Sequence, residues 1–514
     1  MANLRLWNRC KGGIAENQPV ACTRLEGGPC SVCKEREAIR EQIKQLEKEI
    51  TKLKAKHHAL QSRMNAIHDP FVDKLPPEIG SHVFRLCLPT FDIEDNHIWP
   101  KATTFLKVLR LGAVCRKWRQ LAWATPDLWD TLYVRISPSM TRSVAESLPG
   151  LLREWLGRSG IRPLTIFFHH SGCPEESKDS LPSDDFLGES TAENLVSVAN
   201  LVIEIINLHS GRWRNLHLNV GADIPERLCG STQPNQLLFL QLGIDGGRPP
   251  RPKFVMKSKP FPTQLALTNF PPTTIDIGWE KITHAILSDL TSNECPKVLQ
   301  RAPLLKYCQV QLWHHATVNP GTTILHRRLR SLNSSYSGTG FLEAINVPSL
   351  EEWTHSTEDE PLPVTAMVSL LKCSGCCLKI VNLQHVLVPP GDLSVLFQAM
   401  PSLERLRLQF WSVKNADGVM DDFLAQIFIP LEDDSCESFL PCLQFMEYIA
   451  GCGTVTAPFS WNHVPQLYRY GHRRSLTLKS AAKESHISDK TALQLLKLVN
   501  EGVDLQILDT TTQA

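Results

Sequence analysis

The sequence lacks the features that mark several large classes of protein. Its 514 residues contain 54 Lys and Arg against 53 Asp and Glu, and no block of basic residues stands out along the chain. This balance argues against a nucleic-acid-binding surface. The N-terminus has no apolar core of the kind found in signal peptides, and no apolar run is long enough to span a membrane. We therefore expect a protein of the cytosol or nucleus, with no membrane or nucleic-acid partner.

Motifs for catalysis are also missing. The sequence has no Gly-rich phosphate-binding loop, no G-x-S-x-G nucleophile elbow and no H-E-x-x-H zinc motif. Histidine pairs occur at 57–58, 169–170 and 314–315, but adjacent residues are not one helical turn apart, as two metal ligands on a helix would be. No cysteine stands out as a reactive thiolate, and the eight ordered ligands of a RING-type ligase are not there. We therefore predict no catalytic residue and no cofactor, and we expect that the protein is not an enzyme.

The 16 cysteines are scattered through the chain in apolar surroundings. Without a secretory signal they are expected to be reduced and to pack as small hydrophobic side chains. Cys10, Cys22, Cys30 and Cys33 fall near the start of the chain. A zinc site usually combines two closely spaced pairs, and the spacing here is irregular, so we predict no metal site. The remoter alternative is a zinc-dependent regulator that uses these four cysteines. Residues 1–33 are expected to form a poorly ordered N-terminal segment.

Residues 34–69 carry a heptad repeat that predicts a coiled-coil helix. Its apolar positions alternate in steps of four and three residues, and they are Ile39, Ile43, Leu46, Ile50, Leu53, Leu60, Met64 and Ile67. Isoleucine is frequent at one seam position and leucine at the other, which favours a parallel two-stranded coil. His57 interrupts the seam, and we interpret it as a tolerated polar residue. The pattern predicts either a dimer or partner coil, through the heptads of residues 39–67, or one long helix that folds back on the domain.

Residues 70–130 contain two stretches of helical pattern. Pro77 suits a first helical turn, and Glu78 sits favourably at the positive end of the helix that would run to about Leu88. A second helix is expected from about Thr104 to Ala124, with apolar residues at helical spacing. Helices this short cannot bury all their apolar faces against each other. Some apolar surface is therefore left for a partner.

These stretches resemble an F-box, the helical module that docks a protein onto the Skp-type linker of a cullin ubiquitin ligase. The resemblance is carried by L-P-P-E-I at 75–79, V-C-R-K-W-R at 114–119 and P-D-L-W at 126–129. It implies contacts with the linker protein, and through it with a cullin, from Leu75, Pro76, Ile79, Val83, Phe84, Val114, Trp118, Leu128 and Trp129. The segment Thr90 to Thr103 is longer and more polar than the usual connection in this family.

From residue 131 to about 510 the chain changes to short strand-like phrases between helical stretches. Several follow a Pro-x-Leu phrase, as at Pro303, Pro348, Pro401, Pro441 and Pro465. Proline ends a helix, and a strand with alternating leucines is expected after it. The spacing is irregular, often about 25 or 40 to 50 residues, and resembles a degenerate leucine-rich-repeat solenoid with a parallel sheet. The alternative is a non-repetitive α/β domain.

The sequence thus predicts a mixed α/β chain made of a coiled-coil helix, a small all-α F-box and an irregular leucine-rich-repeat-like domain. We expect a non-catalytic adaptor that holds a protein substrate for an SCF-type (Skp–cullin–F-box) ubiquitin ligase. The alternative is a structural interaction protein without a ligase role. Arg and aromatic residues at or just after strands are candidates for target binding, because such residues anchor interfaces. They are Trp313, Arg405, Arg407 and Trp411.

Overall fold

A computed structural model describes most of the chain and divides it into two compact units. The described residues are 31–67, 74–88, 107–137, 140–170, 189–221, 224–244, 252–291, 293–312, 323–335, 339–357, 361–386, 391–410, 423, 439–449, 464–468, 477–481 and 488–507. The first unit comprises residues 1–89 and 107–124, and the second comprises residues 90–106 and 125–514. The predicted N-terminal segment of residues 1–33 lies outside the described residues up to residue 30, and a helix starts at Ser31.

The described part of the first unit is helical. Its helices are α1 (Ser31–Ile67), α2 (Pro77–Leu86), α3 (Lys107–Val114) and α4 (Arg116–Trp123). Helix α1 has 37 residues, and at a rise of 1.5 Å per residue it is about 55 Å long. Helix α2 packs against α4, and α3 packs against α4.

The second unit alternates strands and helices. Its strands are β1 (Thr131–Ile136), β2 (Leu164–His170), β3 (Trp213–Val220), β4 (Phe239–Ile244), β5 (Phe254–Val255), β6 (Gln264–Thr268), β7 (Ile275–Asp276), β8 (His284–Ser288), β9 (Tyr307–Gln311), β10 (Ile324–Leu325), β11 (Ser331–Ser335), β12 (Ile345–Asn346), β13 (Glu352–Ser356), β14 (Ile380–Val386), β15 (Arg405–Phe410), β16 (Phe445–Ile449), β17 (Thr477–Ala481) and β18 (Leu505–Ile507). Its helices are α5 (Arg142–Arg158), α6 (Glu189–Leu208), α7 (Cys295–Arg301), α8 (Thr339–Glu343), α9 (Val364–Ser374), α10 (Asp392–Gln398), α11 (Val464–Leu467) and α12 (Asp489–Asn500). None of the helices in the described residues has the length and apolar composition needed to cross a membrane.

Fourteen of the strands form one sheet, and they follow one another across it in chain order. Every pairing in this sheet is parallel. The short strands β5 and β7, and likewise β10 and β12, form two small parallel ladders beside it. Successive strands of the chain therefore lie side by side in sequence order and form one long parallel sheet, with helices in the connections between them.

Side chains alternate between the two faces of each strand. In β1, Leu132, Val134 and Ile136 are buried, whereas the residues between them are partly exposed. Leucines at the matching positions of later strands are also buried, for example Leu406 and Leu408 in β15. Because the side-chain period of a strand is two, one face of the sheet is apolar and forms the core, and the opposite face carries the polar residues.

Within the described residues, eight of the fourteen strands of the main sheet begin with the same hydrogen-bonding pattern. The N–H groups of two successive residues both donate to one carbonyl at the start of the preceding strand, as Lys306 and Tyr307 do to Thr283. The accepting carbonyls form an unbroken series from one strand to the next, and they belong to Leu238, Thr263, Thr283, Lys306, Arg330, Glu351, Lys379 and Glu404. The repetition predicted from the sequence is therefore present in the backbone, although the spacing along the chain varies.

The Pro-x-Leu phrases form tight turns before four of these strands. In each turn a carbonyl accepts from the N–H three residues later, with proline at the second position, where its fixed φ is favourable. The four hydrogen bonds are Leu305 to Ala302, Leu350 to Val347, Leu403 to Met400 and Leu443 to Leu440. The fifth phrase was predicted wrongly as the start of a strand, because Pro465 lies inside the short helix α11. Strand β13 also lacks the expected leucines and carries Trp353 and His355 on its buried side.

Candidate functional site

Helix α2 begins at a double proline. Pro76 has an extended backbone, with φ −54° and ψ 145°, and its carbonyl accepts from the N–H groups of Ile79 and Gly80 at 3.0 and 3.1 Å. Pro77 occupies the first helical position, where its missing N–H needs no partner. Glu78 in the first turn and Arg85 in the last turn both match the helix dipole. The helix ends at Leu86, before Pro89, as the sequence predicts.

Helix α2 has a covered side and an open side. Phe84 is 1% exposed, and its ring centroid lies 4.9 Å from that of Trp118 in α4. Leu75, Ile79 and Leu86 are exposed on the same segment, Ile79 with 49% of its surface accessible. The described part of the first unit thus buries Phe84 against Trp118 and leaves aliphatic side chains open to solvent.

Two helices stand where the sequence predicted one from Thr104 to Ala124. Cys115 has extended backbone angles, with φ −155° and ψ 174°, and this breaks the helical path between α3 and α4. The Cys115 thiol sulfur accepts from the Trp118 N–H at 3.4 Å, so Cys115 caps α4. The Arg119 Nε donates to the Gly112 carbonyl at 2.8 Å and joins the two helices across the break. The apolar spacing is continuous through Cys115, so periodicity alone could not locate the break.

The nine predicted linker-contact residues fall into two groups. Leu75, Pro76, Ile79 and Val114 are exposed, and Val83 and Trp118 are partly exposed, so these six are available to a partner. Phe84, Leu128 and Trp129 are buried, and their role in the chain by itself is packing. Sequence reasoning did not single out Trp123, which is exposed with the Arg119 guanidinium 5.6 Å from its ring centroid. It was missed because none of the three phrases that carry the resemblance includes it.

Trp129 belongs to the second unit. Its ring meets Trp155 of α5 edge to face at a centroid distance of 4.8 Å, and the Arg158 guanidinium lies 4.7 Å from it. The Trp155 Nε1 donates to the Thr131 carbonyl at 3.2 Å. An ion pair between Arg162 and Asp127 lies in the same region. These contacts place the P-D-L-W sequence beside β1, the first strand of the sheet, and α5.

The predicted target-binding residues can be placed only in part. Arg405 and Arg407 lie on the polar face of β15, because Leu406 and Leu408 between and after them are buried. The Arg407 Nε lies 3.1 Å from a carboxylate oxygen of Glu447, its register partner on β16. Trp313 and Trp411 lie outside the described residues. The binding role of these four residues stays a prediction.

The N-terminal part of the polar face is aromatic. His217 of β3 lies between Phe167 and Phe239, with ring centroids 4.1 and 4.6 Å away, and its Nδ1 is 2.8 Å from Gln241 Oε1. Burial lowers the pKa of His217 to about 4, against a smaller opposing effect of its hydrogen bond to the Gln241 side-chain oxygen. This histidine is therefore neutral at physiological pH.

Another histidine and two thiols lie inside the core. His355 is fully buried, with Nδ1 2.7 Å from Ser334 Oγ, and burial lowers its pKa to about 4. Burial raises the pKa of the Cys308 thiol to about 12 and that of the Cys295 thiol well above its usual value.

Within the described residues, no group of three or more His, Cys, Asp or Glu side chains is arranged to hold a metal ion. Four of the described cysteines are exposed, so the prediction that the cysteines pack as small hydrophobic side chains was wrong for Cys87, Cys373, Cys377 and Cys442.

Comparison with known proteins identifies one part of the chain. Residues 72–135 match the model of the F-box-like family. The chain contains an F-box-like domain. The matched range includes α2, α3 and α4 and reaches β1, so the F-box-like domain covers all nine predicted linker-contact residues.

The remaining comparisons add little. No curated protein matches the chain significantly. A crystal structure of a protein from Bacteroides fragilis aligns with 13% identity and a TM-score of 0.26, over 49% of this chain and 66% of that chain, slightly less than two thirds of its length. A similarity of this size supports no inference about fold or function.

Proposed function

We propose that the chain is a substrate-recognition adaptor of an SCF-type ubiquitin ligase. The observation that carries the proposal is the match of residues 72–135 to the F-box-like family, together with the exposed aliphatic side chains of Leu75, Ile79 and Val114 within it. F-box domains bind Skp-type linker proteins, and an exposed aliphatic surface is what such a contact would bury. The proposed compartment is the cytosol or nucleus.

In this proposal the protein acts by proximity. The F-box-like domain holds the linker protein and through it a cullin, while the second unit holds a protein target. Fixing both on one chain raises the effective concentration of the target near the ubiquitin-conjugating enzyme. We assign the second unit to the degenerate leucine-rich-repeat type. The ordered parallel sheet and the repeated hydrogen bonds at its strand starts support this assignment.

Ile79→Asp tests the docking step. Burying an isoleucine side chain contributes about 1.5–3 kcal/mol, so a charged residue there should weaken linker binding by at least about tenfold. Val144→Asp is a matched control. Val144 is also the third residue of its helix, α5, and is 50% exposed where Ile79 is 49% exposed. We expect purified Skp-type linker protein to bind the control and the unmodified chain equally in calorimetry, and the Ile79 variant weakly. Equal binding by all three would contradict the docking role.

Recovery of a cullin separates the adaptor from the alternative of a structural interaction protein. Affinity capture of the unmodified chain should recover linker protein and cullin together, and the Ile79→Asp variant should lose both. A chain that recovers the linker protein without a cullin would support the structural alternative. A chain that recovers neither would remove the basis for the ligase proposal.

A further inference from the structure

Helix α1 exposes an apolar stripe along most of its length. Every residue of this helix whose side chain is described is exposed. The seam residues are between 49% and 65% exposed, and they are Ile39, Ile43, Leu46, Ile50, Leu53, Leu60 and Met64. A long isolated helix gains little stability in water from its own hydrogen bonds, and helices in proteins depend on packing of an apolar face. The structure therefore does not support the predicted alternative of a helix that folds back on its own domain.

The charges beside the stripe favour a second copy of the chain as its partner. Each heptad has two seam positions, and Ile43, Ile50, His57 and Met64 occupy the first of them. In a parallel coil, the residue immediately before each first position faces the residue five positions later on the other helix. Glu35 would then face Arg40 of the second copy, and Glu49 would face Lys54 of the second copy. The other two combinations, Gln42 with Glu47 and Lys56 with Gln61, contain no like charges. Of these four combinations, two copies in register thus pair opposite charges in two and like charges in none.

His57 decides the direction of the two helices. Charge alone would also permit a fully overlapped antiparallel pair, in which Glu47 faces Lys54 and Glu49 faces Lys56. In that arrangement His57 packs opposite Leu46, and its ring nitrogens are buried without a partner, which costs free energy. In the parallel arrangement His57 packs beside His57 of the second copy, where one imidazole can donate to the other. A single polar residue at this seam position is a known means of fixing register.

We propose that α1 is an interaction surface for a second copy of this chain, which binds in parallel and in register. The α1 helices of both copies then end at the same end of the coil. The F-box-like domain follows directly in sequence, since α2 starts ten positions after Ile67. If the proposed function also holds, two docking sites and two target-binding sheets would follow the same end of the coil. A target with two recognition segments could then bind both sheets and would be held more tightly.

Two neighbouring substitutions test whether the seam holds the dimer. Leu46→Lys places a charge in the seam, whereas Gln45→Lys places the same charge on the outward side of the same helical turn. For the full chain in light scattering at micromolar concentration, we expect a dimer for the unmodified protein and for Gln45→Lys. Leu46→Lys should weaken dimerisation at least about tenfold. Linker binding should be equal in all three proteins, which keeps this test separate from the proposed function. An unmodified protein that is monomeric would overturn the proposal.

A charge reversal tests the direction. Glu49→Lys should weaken the dimer in either arrangement, because position 49 faces Lys54 of the second copy in the parallel pair and Lys56 in the antiparallel pair. A second change, Lys54→Glu, restores complementarity only in the parallel pair, whereas Lys56→Glu restores it only in the antiparallel pair. We expect the dimer of Glu49→Lys to recover with Lys54→Glu and to stay weak with Lys56→Glu. The opposite pattern, or no effect of Glu49→Lys, would overturn the parallel arrangement.

Discussion

At the scale of single residues, His217 and His355 make the second unit sensitive to acid. Burial lowers the pKa of each to about 4, below the value of about 6.5 that an unfolded chain would have. The unfolded chain therefore binds protons more readily, and acid favours unfolding. Their contribution to stability is complete above pH 6.5 and is lost as the pH falls toward 4. The linkage relation gives an upper bound of about 3 kcal/mol for each histidine.

We expect the free energy of unfolding by urea to fall between pH 6.5 and pH 4, and His217→Gln to make this fall shallower. Glutamine cannot take up a proton in this range, and it keeps a polar group that can hydrogen-bond Gln241. His284→Gln serves as the control, because His284 is exposed at the start of β8. A pH dependence that is the same for His217→Gln as for the unmodified chain would show that His217 does not titrate in this way.

The sequence located the helix and the domain of the candidate site, but it could not show which of its apolar residues are buried. Pro76, Pro77 and the apolar spacing after them locate α2, and the resemblance to an F-box correctly identified the domain. Spacing could not show that Phe84 packs on Trp118 while Ile79 stays open, because both lie on one broad apolar stripe. Whether an apolar residue is core or surface depends on what the next helix covers, and that is decided by tertiary packing.

At the scale of elements, the break between α3 and α4 rests on the Cys115 cap. Side-chain acceptors at this position stabilise a helix start by about 1 kcal/mol relative to alanine, and serine is a better acceptor than a thiol. We therefore expect the order of thermal stability to be Cys115→Ser, then the unmodified protein, then Cys115→Ala. Differential scanning calorimetry would measure the order. An alanine variant as stable as the serine variant would mean that the thiol contributes nothing to the cap.

The repeated elements of the sheet were predictable because their signals are local. A Pro-x-Leu phrase sets a turn, and alternating leucines set a buried strand face, so β9 and β15 follow Pro303 and Pro401 as the sequence predicts. Pro465 misled for a physical reason, since proline suits a helical first turn as well as a turn before a strand. Strand β13 follows Pro348 as predicted, but Trp353 and His355 fill its buried positions in place of leucines. Spacing could not show this, because the hydrogen bonds of both side chains go to Ser334 in another strand.

At the scale of the whole molecule, the sheet presents charged groups at its C-terminal strands. Arg405 and Arg407 lie on the polar face of β15, and Glu447 lies beside them on β16. In register with Arg407, β14 carries Asn382, and β13 one strand further carries Thr354; both are uncharged and partly exposed. A target with acidic groups would therefore meet its complement at β15. Salt at about 1 M reduces the reach of such charges to roughly 3 Å and should weaken capture.

Removing both arginines tests this location of the target site. We expect Arg405→Ala with Arg407→Ala to lose target capture while linker binding and thermal stability stay near those of the unmodified chain. Arg142→Ala with Arg153→Ala is a matched control, because it removes the same charge from the exposed side of α5, where Arg142 also pairs with a glutamate, Glu146. Linker binding and thermal stability are measured without further changes. Target capture by both pairs is compared on a background of Ile79→Asp, so that bound targets are not consumed, with quantitative mass spectrometry of the captured proteins. If the β15 variant captures the same set as the control, the target site lies elsewhere, because the only surface altered is the polar face of β15.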